Sequence, residues 1–185
     1  MMIVGLITAY IILAVIGIIV TIGFYKMFKS IQNSIKRDFK YYININKKSY
    51  LKCKLPIVKA KFKDRDIYFL VDTGSNTNII NEDFVNLVYK DTGIPETKDA
   101  KVSGLATKEN LCKSIVEEIS FDCYNSETEC EKFNEQFLIL DMNLGVKSDL
   151  DKNTGLDIQG MLGNEFFQKA RWIIDLDQLV VWVKK

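Results

Sequence analysis

Residues 68 to 80 read Tyr-Phe-Leu-Val-Asp-Thr-Gly-Ser-Asn-Thr-Asn-Ile-Ile. Phe69, Leu70 and Val71 form a short continuous apolar run closed by turn residues, the pattern of a strand buried on both faces. The pattern predicts a strand over 67–72 that delivers Asp72 to a turn at Gly74. A carboxylate at the end of such a strand is costly unless it is paired or used. Gly74 is expected to take a backbone conformation, or allow a close approach, denied to other residues. The hydroxyls of Thr73 and Ser75 can bond neighbouring backbone or carboxylate oxygens.

The run Leu70-Val71-Asp72-Thr73-Gly74-Ser75 resembles the active-site motif of the retropepsin-like aspartic proteases, in which two apolar residues precede Asp-Thr-Gly-Ser. A second stretch, Ile158-Gln159-Gly160-Met161-Leu162-Gly163-Asn164-Glu165-Phe166-Phe167, is similar to the closing element of that family, two apolar residues and a glycine leading into a short helix. The apolar runs at 172–176 and 179–183 then match its last hairpin. Gln159 stands where the family has an acidic or apolar residue. The resemblance covers residues 51 to 183 and implies an all-β closed acid-protease barrel with one or two short helices. It also implies that Asp72, Thr73 and Gly74 are catalytic, with Ser75 and Gly160 supporting them.

The chain carries its own control, a second tripeptide Asp91-Thr92-Gly93. There the context is helical. Asn81 reads as an N-cap with Glu82 and Asp83 in the first turn, Phe84, Leu87 and Val88 recur at helical spacing, and Gly93 before Ile94-Pro95 reads as the stop. Asp91 is expected at a solvated helix end.

Peptide hydrolysis by this route needs two carboxylates about 3 Å apart sharing one proton, because two like charges that close cannot both ionise. One chain supplies one, and the resemblance implies a homodimer in which Asp72 faces its twin across a two-fold axis. One carboxylate then acts as general base on a water while the other, protonated, polarises the scissile carbonyl. No metal or organic cofactor is called for. The sequence has no histidine, which removes the Ser-His and Cys-His routes. Between the two motifs, residues 99–123 alternate loosely around Ser103-Gly104-Leu105-Ala106-Thr107. Gly104 and Leu105 are candidate flap residues over a bound peptide, against the plainer reading of a hairpin turn.

Residues 1–25 carry no charged side chain. As a helix, residues 2–25 reach about 36 Å, enough for a bilayer core of about 30 Å. The length, and the lack of basic residues before the apolar run, favour an uncleaved anchor over a signal peptide. Lys26, Lys29, Lys36, Arg37, Lys40, Lys47 and Lys48 follow against the single acid Asp38, so the basic flank, and the enzyme domain after it, is expected on the cytoplasmic side. Phe28, Ile31, Ile35 and Phe39 recur at near-helical spacing, which fits a helix leaving or lying along the membrane as well as a plain linker. The expected organisation is an anchor at 1–25, a basic juxtamembrane linker at 26–49 and one protease domain at 50–185. Removing the basic stretch from the chain's 25 bases and 24 acids leaves 18 against 23, a mildly acidic remainder that gives no reason to expect nucleic acid.

The remaining strands are expected at 50–62 with a break at Pro56, 115–123 and 133–140, with two short helices between elements. Cys53, Cys112, Cys123 and Cys130 lack zinc spacing and are expected as reduced thiols in a cytoplasmic domain; an oxidising location would let Cys123 and Cys130 bridge a hairpin. Residues 149–157 are acid-rich but place Thr154 where a calcium loop needs glycine, and read as a solvated loop. Two functions fit these residues: a membrane-anchored homodimeric aspartic endopeptidase acting on peptide or protein substrates, and a catalytically silent dimeric module of the same fold that holds a peptide strand at the membrane. A buried carboxylate at a dyad serves only the first.

Overall fold

A computed structural model describes residues 2–104, 107–124, 130–144 and 147–184. The chain divides into two compact units, Met1–Lys40 and Tyr41–Lys185. The first is dominated by helix α1 (Met2–Asp38). Within it Leu13–Ile31 has a mean hydropathy of 1.6 and the length to cross a membrane, and Leu13, Ile19, Phe24 and Phe28 are exposed. The helix continues through the basic residues after Tyr25. Phe39, expected to extend the helical stripe, instead opens strand β1 (Phe39–Asn44).

The second unit continues with α2 (Lys47–Cys53), β2 (Ile57–Phe62), β3 (Arg65–Val71), β4 (Asn78–Asn81), α3 (Glu82–Val88), β5 (Lys98–Gly104), β6 (Thr107–Asp122), β7 (Cys130–Leu140), α4 (Lys147–Thr154), β8 (Ile158–Leu162), α5 (Asn164–Ala170), β9 (Ile173–Asp175) and β10 (Val180–Lys184). Strands run in the order β2-β3-β8-β4-β7-β6, and pairing of Lys61 with Ser120 and Phe62 with Ile119 joins β2 to β6 and closes the ring. β5 hangs on the outer edge of β6, and a separate sheet has the order β1-β10-β9. The closed all-β barrel agrees with the architecture implied by the resemblance.

Aromatic packing fills the ring. Phe62 meets Phe84 and Phe137 edge-on, and Phe69 stacks on Phe137. A second cluster of Phe121, Phe133, Phe166 and Trp172 pins α5 against β6 and β7. Each fully buried ring of this kind contributes about 1.5–3 kcal/mol. Where β2 meets β6, the Tyr89 hydroxyl donates to the Glu117 carboxylate, and the Lys63 ammonium lies 4.2 Å from the Tyr89 ring centre. Burial, then the Glu117 carboxylate beside it, push the Tyr89 phenol above its ordinary range.

Several local expectations change. Residues 50–62 are not one interrupted strand: Asn46 caps α2 by accepting from the Ser49 amide at 3.0 Å, and the strand begins only at Ile57. The acid-rich stretch 149–157 is not a solvated loop. It lies mostly in α4, where the nearly buried Lys147 ammonium pairs with Asp151 and Asp157. Asn81 precedes α3 without a side-chain cap bond, because its buried amide bonds to the two neighbouring chain segments, at Gln159 and Met142, instead. Ile79 and Ile80 form a strand of their own, β4. With α2 and α4 added, the described residues hold four short α-helices in the second unit and a 3-10 turn at Met142–Leu144.

Candidate active site

β3 lies parallel to β8, with Phe69 opposite Gly160 and Val71 opposite Leu162. The pairing runs one residue past the strand, since the Asp72 amide donates to the Leu162 carbonyl at 3.0 Å. Asp72 thus leaves the barrel wall on a fixed backbone. The Ser75 amide then donates to the Asp72 carbonyl at 3.2 Å, closing a turn, and the Gly74 amide donates to Asp72 Oδ1 at 2.9 Å. One carboxylate oxygen is therefore oriented by the turn it belongs to, a charge-assisted bond of the stronger kind. In the single chain Asp72 is half-buried, and Thr73 and Gly74 are exposed.

Gly74 does not occupy the left-handed region; its role is spatial. A Cβ there would sit 3.2 Å from Asp72 Oδ1, crowding the oxygen that the amide holds. Ser75 is half-buried and donates its hydroxyl to the Thr77 carbonyl at 3.0 Å. Its own carbonyl accepts from the Asn164 amide at 2.6 Å, and the Asn76 carbonyl accepts from the Glu165 amide at 3.2 Å. The loop after Asp72 is in this way fastened to the first turn of α5.

Gly163 makes that fastening possible, and Gly160 lets β8 pack close between β3 and β4. A Cβ at Gly160 would lie 2.4 Å from the Phe69 ring and 2.8 Å from the Ile79 carbonyl oxygen. One at Gly163 would lie 2.4 Å from the Thr77 carbonyl oxygen. Gly160 therefore sits in the strand beside the one that carries Asp72, against the Phe69 ring.

Two asparagines that the sequence did not mark as site residues complete the frame. Asn78, 4% exposed, accepts from the Gly163 amide at 3.0 Å and donates to the Gln136 carbonyl at 3.3 Å. Asn81, 1% exposed, donates to Gln159 Oε1 at 2.8 Å and accepts from the Met142 amide at 3.2 Å. Gln159 is thereby explained as an amide partner, and its own amide donates to Asp157 at 2.7 Å. The available signal was two polar amides flanking Ile79-Ile80, which the cap reading of Asn81 obscured.

Asp91, in the second tripeptide, is exposed, and Gly93 has φ +74° with its amide donating to the Tyr89 carbonyl at 2.9 Å, a helix stop. Gly104 ends β5 and pairs with Thr107 across the β5–β6 hairpin. Leu105 lies outside the described residues, as does the Cys130 side chain.

No family model matches the chain, and no curated protein does. Among solved structures it is similar to a retropepsin-like aspartic protease from Rickettsia conorii, at 17% identity over 76% of this chain and 87% of that one, with a TM-score of 0.47. It is also similar to the retroviral protease-like domain of Ddi1 from Leishmania major, at 11% identity over 69% of this chain and 86% of that one, with a TM-score of 0.38.

Proposed function

We propose that the chain is a membrane-anchored, homodimeric aspartic endopeptidase in which Asp72 of each copy contributes one carboxylate to a shared dyad. The observation that carries this reading is the Asp72 turn. A carboxylate is held at a strand end by an amide of its own loop, and that loop is fastened to the barrel through Gly163 and the amides of α5. Fixed backbone of this kind is what a catalytic group needs to keep its position through a reaction.

In this function the ionised Asp72 removes a proton from water as the water attacks the peptide carbonyl. The protonated Asp72 of the other copy donates to the carbonyl oxygen. The pair, not either copy, owns the resulting pKa values. Thr73 and Gly74 line the approach, Ser75 and Gly160 hold the turn, and the β5–β6 hairpin around Gly104 and Leu105 covers a peptide bound as an added strand. Helix α1 anchors the enzyme, with the basic flank and the barrel on the cytoplasmic side.

The test uses the full chain in lipid vesicles with a mixed peptide library. Cleavage is expected from the wild type and is expected to fall by about 10²–10⁴-fold in Asp72→Asn. Equal cleavage by both proteins removes Asp72 from the chemistry. Peptide binding without cleavage by either selects the silent binding module instead.

A further inference from the structure

Asp72 shares its face of the sheet with a row of residues that leads away from it across five further strands. Phe69 and Val71 lie in the core, so alternation along β3 turns Leu70 and Asp72 the other way. Cross-strand partners carry that face sideways: Leu70 pairs with Met161, Met161 with Ile79, Ile79 with Leu138, Leu138 with Ser114, and Ser114 with Lys98. Their chain neighbours Leu162, Ile80, Phe137 and Ile115 all lie in the core, which agrees with this assignment on β8, β4, β7 and β6.

The row changes character along its length. It is apolar from Leu70 to Leu138 and polar at Ser114 and Lys98. At the polar end a cavity of about 240 Å³ is lined by Glu96, Lys98, Ser114, Val116 and Gln136. Its floor is fixed by hydrogen bonds: the Gln136 side-chain amide donates to the Ser114 hydroxyl at 2.9 Å, and that hydroxyl donates to the Lys98 carbonyl at 3.2 Å. Among the described residues neither the Glu96 carboxylate nor the Lys98 ammonium is engaged in an ion pair. A carboxylate entering this cavity meets Glu96 and an ammonium meets Lys98, so a side chain of either charge faces a like one. A side-chain amide offers a donor to Glu96 and an acceptor to Lys98 with no net charge. Val116, 60% exposed, gives its methylene groups an apolar wall.

We infer that the cavity between β5, β6 and β7 is a specificity subsite for an asparagine or glutamine side chain of a peptide laid across Asp72. The inference rests on the proposed protease reading and deepens it by naming a residue class that the substrate carries away from the cut bond. Five strand spacings of about 4.8 Å separate β3 from β5, and an extended peptide advances about 3.3 Å per residue, so the amide lies at most about seven residues from that bond. Residues between the two rest on the apolar part of the row.

The subsite is tested with the full chain in phosphatidylcholine vesicles and a mixed peptide library whose products are sequenced by mass spectrometry. Within about seven residues of the cut bond on one side, asparagine and glutamine are expected to be enriched about threefold to fivefold over acidic and basic residues. Lys98→Glu is expected to move the enrichment to lysine and arginine, and Glu96→Lys to move it to aspartate and glutamate. The same preferences are expected among peptides retained by Asp72→Asn. Cleavage without the enrichment, or with an enrichment that neither charge change moves, overturns the subsite and leaves the Asp72 reading intact. Retention with the preference, but no cleavage by the wild type, supports the subsite and overturns the protease. Neither retention nor cleavage overturns both.

Discussion

Asp72 and Gly160 touch the same strand from two sides, one leaving its end and the other lying under Phe69. Their substitutions should therefore separate chemistry from architecture. Asp72→Asn keeps an oxygen for the Gly74 amide and is expected to melt within about 1 kcal/mol of the wild type while losing cleavage. Gly160→Ala forces a methyl into the Phe69 ring and against the rigid Ile79 carbonyl, and is expected to cost about 1–3 kcal/mol in denaturant unfolding. An unchanged midpoint for Gly160→Ala contradicts the packing described. At this scale the sequence was informative wherever a residue type has one strong use: an acid after an apolar run, a glycine where no side chain fits. It was uninformative for Asn78 and Asn81. Amides serve caps, turns and buried bridges alike, and only three-dimensional neighbours decide among these uses.

Among the elements, α4 shows how a hydrophilic stretch is held in shape. Its residues Lys-Ser-Asp-Leu-Asp-Lys-Asn-Thr offer a single apolar side chain, Leu150, so no periodic stripe announces a helix. The helix is secured by Lys147, 9% exposed at its side chain, between Asp151 and Asp157, and by Asp151 accepting from the Ile158 amide at 2.8 Å. α2 then docks on it through the Ser49 hydroxyl, which donates to the Thr154 carbonyl at 2.9 Å. Burial alone would lower the Lys147 pKa, but hydrogen bonds to Asp151 and Asp157 outweigh it and leave it above 10.5. Burial would raise Asp157, and the bonds from Lys147 and Gln159 outweigh it and leave it below 3.8. The stabilisation carried by Lys147 is thus complete below pH 10.5 and fades as pH rises through its folded value. That carried by Asp157 is complete above pH 3.8 and fades as pH falls through its folded value. Lys147→Met is expected to cost about 1 kcal/mol, modest because Asp157 is largely exposed. Unfolding titrations should find the gap from wild type constant between these limits and narrowing outside them. A gap that widens in acid contradicts the ion pair.

For the whole molecule, the closed ring was legible in outline because many short apolar runs separated by turns permit few arrangements, and the resemblance at 70–75 and 158–167 selected one. Pairing order was not legible, because alternation along a strand says which face is buried and not which neighbour lies beside it. The proposed assembly yields a prediction at this scale. In a two-fold dimer with one essential acid per copy, a mixed pair of wild type and Asp72→Asn is inactive. Activity should then follow the square of the wild-type fraction, falling to about one quarter in an equal mixture that has exchanged subunits. A linear fall means that each copy works alone. The position of β8 carries a last consequence. It is among the final strands in the chain, yet it fits between β3 and β4, and its Leu162 carbonyl receives the Asp72 amide. During synthesis the chain must emerge beyond Leu162 before that slot can be filled. Until then α1 is already made while Asp72 has no finished seat, so the cleavage proposed for Asp72 starts only once β8 is in place.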